Sequence, residues 1–335
     1  MKRPVPDSDE TVRIAPGRLA RPRPAGIGSA IAIGAVSGLV MVLAVIAIAW
    51  FVWPQAPRVS PPTAQTAAAR VTSAEPELPI ETATVAQILV HKPADLSIIQ
   101  LAENPQIVVL DFASLTRQGT MLDRVAALIE KAGLPRDRIL SADALDRAVK
   151  ADGDVDGGFY YGHDYSAASL RRFFTIADRT HVQLTLGETL LRHLLDRLGW
   201  LKPDTIAGMI SAPGVGANAN VTAAARDTIL THELSHGEYF SNPAYASYVH
   251  QFFLDTMMPG EQAAFRTYLA GEGYDSTNAE LIENETQAYL LFTPDPNFFS
   301  PSQVHMTPAR RAELRAEFLH DMPKGWLKDL LSGLQ

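Results

Sequence analysis

Thr231-His232-Glu233-Leu234-Ser235-His236 sets two imidazoles four positions apart, with a carboxylate directly after the first, inside a mainly apolar stretch. The pattern predicts a helix over 223–236, entered after Asn220 or Thr222 as cap and stopped at Gly237. On a helix, positions four apart share a face, so His232 and His236 aim at one point while Glu233 stands beside it. Neutral imidazole is a good zinc ligand, and a catalytic zinc takes three protein ligands and leaves one position open for water. Glu233 is then placed to take a proton from that water and return it to a leaving amine. The expected chemistry is zinc-dependent hydrolysis of peptide bonds, with Glu233 catalytic and His232 and His236 holding Zn2+.

Outward from this motif the chain is strongly helical. Apolar spacing predicts helices over 245–257, 261–269, 279–291 and 308–320, punctuated by Pro259, Gly271, Pro294 and Pro296. Upstream, 106–111 reads as a buried strand and 204–211 as a second strand. Helices are expected over 121–131, 141–151, 166–178 and 187–199, the last with a leucine stripe from Leu190 to Leu198. The expected fold class is α+β and α-rich with a small sheet, divided into an N-terminal part over 86–200 and a metallopeptidase-like part over 201–335.

His232, Glu233 and His236 resemble the H-E-x-x-H helix of the zincin metallopeptidases, and the resemblance implies a third ligand. The metzincin extension is excluded, since Tyr239 stands where its glycine would be and Asn242 where its histidine would be. Asn284-Glu285-Thr286-Gln287-Ala288-Tyr289 resembles the gluzincin element, in which a glutamate on a later helix completes the metal site. The resemblance implies Glu285 as the ligand, with Glu283 and Glu280 as rivals on the same segment. Helical spacing puts Glu285 roughly 100° or more from either rival. The resemblance covers 229–290 and has two departures. Glu238 occupies a usually apolar position, and Tyr289 stands where thermolysin-like enzymes carry an aspartate that orients a ligating histidine. Ligating imidazoles generally need such a partner, and Glu238 or Glu283 is the expected substitute.

The first quarter of the chain reads differently. No charged side chain lies between Arg23 and Arg58, and 25–53 is nearly all Ala, Ile, Val, Leu, Gly, Met and Trp. That run exceeds the length needed for a hydrocarbon layer of about 30 Å, so it is expected to cross a bilayer as one transmembrane helix. Arg13, Arg18, Arg21 and Arg23 precede it, which places the basic N-terminus over 1–24 in the cytoplasm and everything after 53 outside. The expected location is the inner or plasma membrane, with the C-terminal domain periplasmic if the source is Gram-negative. Gly34 and Gly38 form a GxxxG that offers a weak homodimer contact. A Pro/Ala-rich linker is expected over 54–85.

Charge and composition exclude other classes. The 335-residue chain has 47% hydrophobic and 20% charged residues, enough to bury a core. Residues after 53 carry a net charge of −11 without a Lys/Arg cluster, so nucleic acid is not the expected partner. Cysteine is absent, which excludes disulfides and thiol nucleophiles. Asp152, Asp154 and Asp156 match half a calcium loop, but His163 stands where its bidentate glutamate belongs. Tyr160, Tyr161, His163, Tyr165, Tyr274 and His305 are candidates to steady an oxyanion. The alternatives to a peptidase are a non-catalytic zinc-binding interaction module and a zinc hydrolase of non-peptide amides.

Overall fold

Residues 107–112, Ile-Val-Val-Leu-Asp-Phe, are buried along their whole length, which a strand achieves only when both faces are covered. In the computed structural model, which describes residues 78–152 and 158–334, this segment is the centre of a mixed five-stranded sheet. The chain runs β1 (Ile80–Ala83), α1 (Val85–Leu89), β2 (Leu96–Leu101), β3 (Ile107–Phe112), α2 (Leu115–Ile129) and α3 (Ala142–Ala151). Next come β4 (His163–Ser166), α4 (Ala167–Thr180), α5 (Leu186–Arg197) and β5 (Gly208–Pro213). The remainder is helical: α6 (Ala223–Ser241), α7 (Pro243–Gln251), α8 (Pro259–Gly271), α9 (Ala279–Phe292), α10 (Pro308–Asp321) and α11 (Trp326–Gly333). The fold is thus α+β, helix-rich, with a small sheet of order β1-β2-β3-β5-β4.

Strand alternation sorts the core into two layers. Ile107, Val109, Ile210 and Ala212 pack with α6 to α11, whereas Val108, Leu110, Phe112, Met209 and Tyr165 pack with α2, α4 and α5. Because β4 pairs antiparallel with β5, with Asp164 opposite Ile210, the same alternation turns Asp164 toward the α6 layer and Tyr165 away from it. Residues on both sides of position 200 share this one sheet and belong to one compact unit.

Four sequence expectations change. Ile80–Ala83, assigned to the linker, is a strand parallel to β2, followed by a Thr84/Gln87 capping box. The strand expected over 204–211 begins only at Gly208 and runs to Pro213, between β3 and β4 in the sheet. The helix expected over 245–257 starts at Pro243 under an Asn242 cap and gives way to a π-helical turn over Phe252–Thr256. Gly237 does not stop α6. A Cβ there would lie 2.9 Å from Ile107 Cγ2, and one on Gly208 would lie 2.9 Å from the Gly237 carbonyl, so both glycines let the helix press onto the sheet. Strands β2 and β4 and helices α1 and α11 carried no expectation.

Among the described residues, no helix is long and apolar enough to cross a membrane; the expected transmembrane helix over 25–53, its GxxxG and the basic N-terminus lie outside them.

Candidate metal centre

Helix α6 is buried on almost every side, from Ala225 through Tyr239, although it carries Arg226, His232, Glu233, His236 and Glu238. Buried polar groups need partners, so each of these side chains has to be accounted for. Arg226 is closed at the guanidinium ends by both Asp111 oxygens at 2.8 Å and by the carbonyls of Ile88 and Pro213. That clamp joins the start of α6 to β3, β5 and α1. Glu238 accepts from Asn104, Asn242 and Trp326, each at 2.8 to 2.9 Å, and ties the other end to a loop and to α11. With both ends fixed, the middle turn presents His232, Glu233 and His236.

Helix α9 brings the opposing carboxylate. It is riveted to α6 and α7 by Gln287, which donates to Ser235 Oγ at 2.9 Å and accepts from Tyr245 at 2.8 Å. Two residues earlier, Glu285 is fully buried, with Oε2 3.7 Å from His232 Nε2 and Oε1 3.8 Å from His236 Nε2. These separations exceed a hydrogen bond. Donors each about 2.1 Å from a shared ion stand at most about 4.2 Å apart, so both pairs fit one ion. Both oxygens of Glu285 and both ring nitrogens of His236 lack a hydrogen bond. The three side chains form a constellation able to hold a metal ion.

The tautomer of His232 follows from its neighbour. Thr293 donates its hydroxyl proton to the Ala288 carbonyl at 2.9 Å, so its oxygen, 2.9 Å from His232 Nδ1, is left to accept. Nδ1 therefore carries the proton and Nε2 is a lone-pair donor facing Glu285. This is the orienting role for which a carboxylate was expected from Glu238 or Glu283. Neither serves: Glu238 is committed as above, and Glu283 pairs with His250 at 2.8 Å. Tyr289 packs its ring against His232 at 4.8 Å, and the orienting oxygen comes four residues later.

Asp164, which the sequence did not single out, is the largest addition. Its Oδ2 lies 3.8 Å from His236 Nε2, and with Glu233 and His236 it forms a second constellation sharing that imidazole. It arrives because β4 is drawn into the sheet by β5. Gly162, just before β4, leaves room for Glu233: a Cβ there would sit 2.5 Å from its Cδ. Glu233 Oε2 has no hydrogen-bond partner.

The electrostatics match a centre awaiting positive charge. Burial pushes Glu285 well above the usual carboxylate range, and Asp164 and Glu130 push it further. The Tyr274 hydroxyl opposes that shift without closing a hydrogen bond of ordinary geometry on either oxygen. Burial likewise raises Glu233, with Asp164, Glu285 and Glu130 adding to it. Burial, then the neighbouring His236, holds His232 well below the usual histidine range, so it is neutral and able to ligate.

Comparisons of the chain with protein-family models, curated proteins and solved structures give no match. The reading of the centre therefore stands on its own geometry.

The remaining sequence candidates divide. Tyr274 faces Glu285, and Tyr160 stacks on Tyr274 with centroids 5.5 Å apart. Tyr161 accepts from Asn220, and Tyr165 is buried in the other layer. His163 faces Ser211 and Asp123, away from α6. His305 is exposed and ends a 3-10 turn over Pro301–Val304. Glu280 is exposed. Asp152 is consumed by Lys131 at 2.7 Å, which withdraws the first carboxylate of the calcium-loop pattern; Asp154 and Asp156 lie outside the described residues.

Proposed function

We propose that the chain is a zinc-dependent peptidase of gluzincin type with a zincin-like catalytic domain, anchored in a membrane through 25–53 and acting outside the cytoplasm. One observation carries the catalytic reading. Two imidazole nitrogens and a buried glutamate converge, and a second glutamate with a free oxygen stands beside them. His232, His236 and Glu285 are the ligands in this reading. An N2O donor set with one neutral-tautomer histidine suits zinc, which when bound supplies Lewis acidity that polarises a carbonyl and acidifies water.

Glu233 accepts the proton of the attacking water and passes it to the departing amine; burial raises its pKa, which makes its carboxylate a stronger base for that exchange. Thr293 holds His232 in the ligating tautomer. Tyr274, beside Glu285, is the hydroxyl nearest in role to an oxyanion donor. The anchor rests on the apolar run and the arginines before it. The substrate is a peptide or protein.

The test uses the purified full chain. Metal analysis is expected to return about one zinc per chain, and a peptide library is expected to show chelator-sensitive cleavage. Glu233→Gln is expected to keep the zinc and lose hydrolysis. Undiminished cleavage in that variant, or a chain that takes up no zinc, removes the assignment.

A further inference from the structure

We propose that the cavity beside Asp164 receives a lysine or arginine side chain of the substrate, so that cleavage falls next to a basic residue. The inference rests on the peptidase reading above and names its substrate class.

The cavity holds about 260 Å³, several times the roughly 30 Å³ share of one water. It opens among the end of α2, the start of α4 and the start of α9. Three of its lining residues are charged, Glu130, Asp164 and Glu280, and all three are negative. Glu130 is 3% exposed, and its Oε1 has no hydrogen-bond partner, an expensive state for a buried carboxylate. The nearest cations are engaged elsewhere: Lys131 with Asp152 at 2.7 Å and Arg136 with Asp275 at 3.0 Å. Burial and the nearby Asp164 hold the Glu130 pKa well above its ordinary value.

Two walls connect this cavity to the reaction. Asp164 lines it and also faces His236 at 3.8 Å, and Asn284 lines it directly before Glu285. A peptide lying across the ligands can therefore drop one side chain into it. Ile129, Phe240 and Leu281 offer apolar wall for a methylene stem, and the carboxylates meet the charged head. A small cation alone would leave most of the volume and those apolar walls unused.

The experiment compares N-terminally acetylated peptides that differ only beside the scissile bond, carrying Lys, Arg, norleucine, citrulline or Glu. The expected kcat/KM for Lys and Arg exceeds that for norleucine and citrulline at least tenfold, and Glu130→Gln lowers that ratio at least fivefold. Glu280→Gln, at the exposed rim, is expected to lower it in the same direction and serves if Glu130→Gln fails to fold. Equal cleavage of Lys and norleucine peptides overturns the proposal, as does a ratio that survives in the folded variants. The norleucine peptide is also assayed with its N-terminus free, and faster cleavage of it than of the acetylated Lys peptide overturns the proposal as well. If no peptide is cleaved, the peptidase reading fails separately, and binding of N-acetyl-arginine amide against N-acetyl-citrulline amide to the full chain decides the cavity. Tenfold tighter binding of the arginine probe supports the cavity's role, and equal binding removes it.

Discussion

Gly162→Ala tests the assignment of Glu233 without touching a ligand. A Cβ at 162 would stand 2.5 Å from Glu233 Cδ and 2.8 Å from Cγ, with Oε1 nearer still. Ordinary contact begins near 3.4 Å, so the carboxylate has to retreat by about 1 Å. The clash is with the far end of one side chain, so the carboxylate moves and the backbone stays. A misplacement of about 1 Å in a reacting group costs roughly 100-fold, or about 2.7 kcal/mol of barrier. The expected result is a kcat reduced by about that factor, zinc content unchanged and KM changed less than kcat. In a Glu233→Gln background the same alanine is expected to cost little more, because the group it displaces has already lost its function. Full activity in Gly162→Ala with zinc at one per chain refutes the reasoning, since the carboxylate would then be free to sit elsewhere. Loss of zinc together with activity also refutes it, by placing the damage on the ligands.

Three further perturbations probe the supports. Thr293→Val removes the acceptor for His232 Nδ1 and is expected to weaken zinc binding by about 10- to 100-fold in chelator competition, with Thr293→Ser restoring it. Asp111→Ala leaves Arg226 charged and buried and is expected to cost about 3–5 kcal/mol in denaturant unfolding. The metal-free protein is expected to lose thermal stability as pH rises above about 6.5. Glu233, Glu285 and Asp164 have folded pKa values raised by burial, so above the unfolded carboxylate range near pH 4 the unfolded chain is ionised at these groups while the folded one resists, and stability falls as pH rises. His232 pulls the other way only below about pH 6.5, where the unfolded histidine takes a proton. Zinc is expected to reverse the slope, because its ligands bind deprotonated; a metal-free melting temperature that climbs through this window contradicts the account.

What the sequence disclosed follows from which interactions leave a periodic trace. Helical spacing was enough to bring His232 and His236 to one face, and the motif resemblance pointed to Glu285 over its neighbours, which the structure leaves at His250 or in solvent. Asp164 left no trace. His163-Asp164-Tyr165-Ser166 has no apolar alternation, and it becomes a strand because β5 supplies a pairing edge more than forty residues later. Thr293 was invisible for a related reason: it lies past the end of α9, where no periodicity applies, and acts through a tautomer that only the Ala288 carbonyl fixes. Gly237 shows the opposite failure. A glycine after a helical run is most often a stop, yet here the tertiary contact with Ile107 required it while α6 continued for another turn.

The distribution of satisfied and unsatisfied charge argues that the centre is more than a tolerated accident of packing. Away from it, three buried pairs close charge on charge: Arg226 with Asp111, Arg124 with Glu188 and Lys131 with Asp152. These pairs cross between elements, and each exchanges desolvation for geometry that a merely apolar core would not specify. Around the middle turn of α6 and the cavity beside it the pattern inverts. The oxygens of Glu285, Oε2 of Glu233 and Oε1 of Glu130 accept no hydrogen bond, although each is buried. A fold selected for stability alone would replace such groups with apolar residues of similar volume, as the surrounding Leu230, Leu234, Tyr289 and Leu291 already show is feasible there. Their retention beside two imidazoles, with α6 pinned at its start by the Arg226–Asp111 pair and at its end by the hydrogen bonds to Glu238, fits carboxylates able to hold a cation. In the proposed reading a metal answers Glu285; Glu130, farther along the same acidic wall, is left with an unpartnered oxygen that the ligand set does not satisfy.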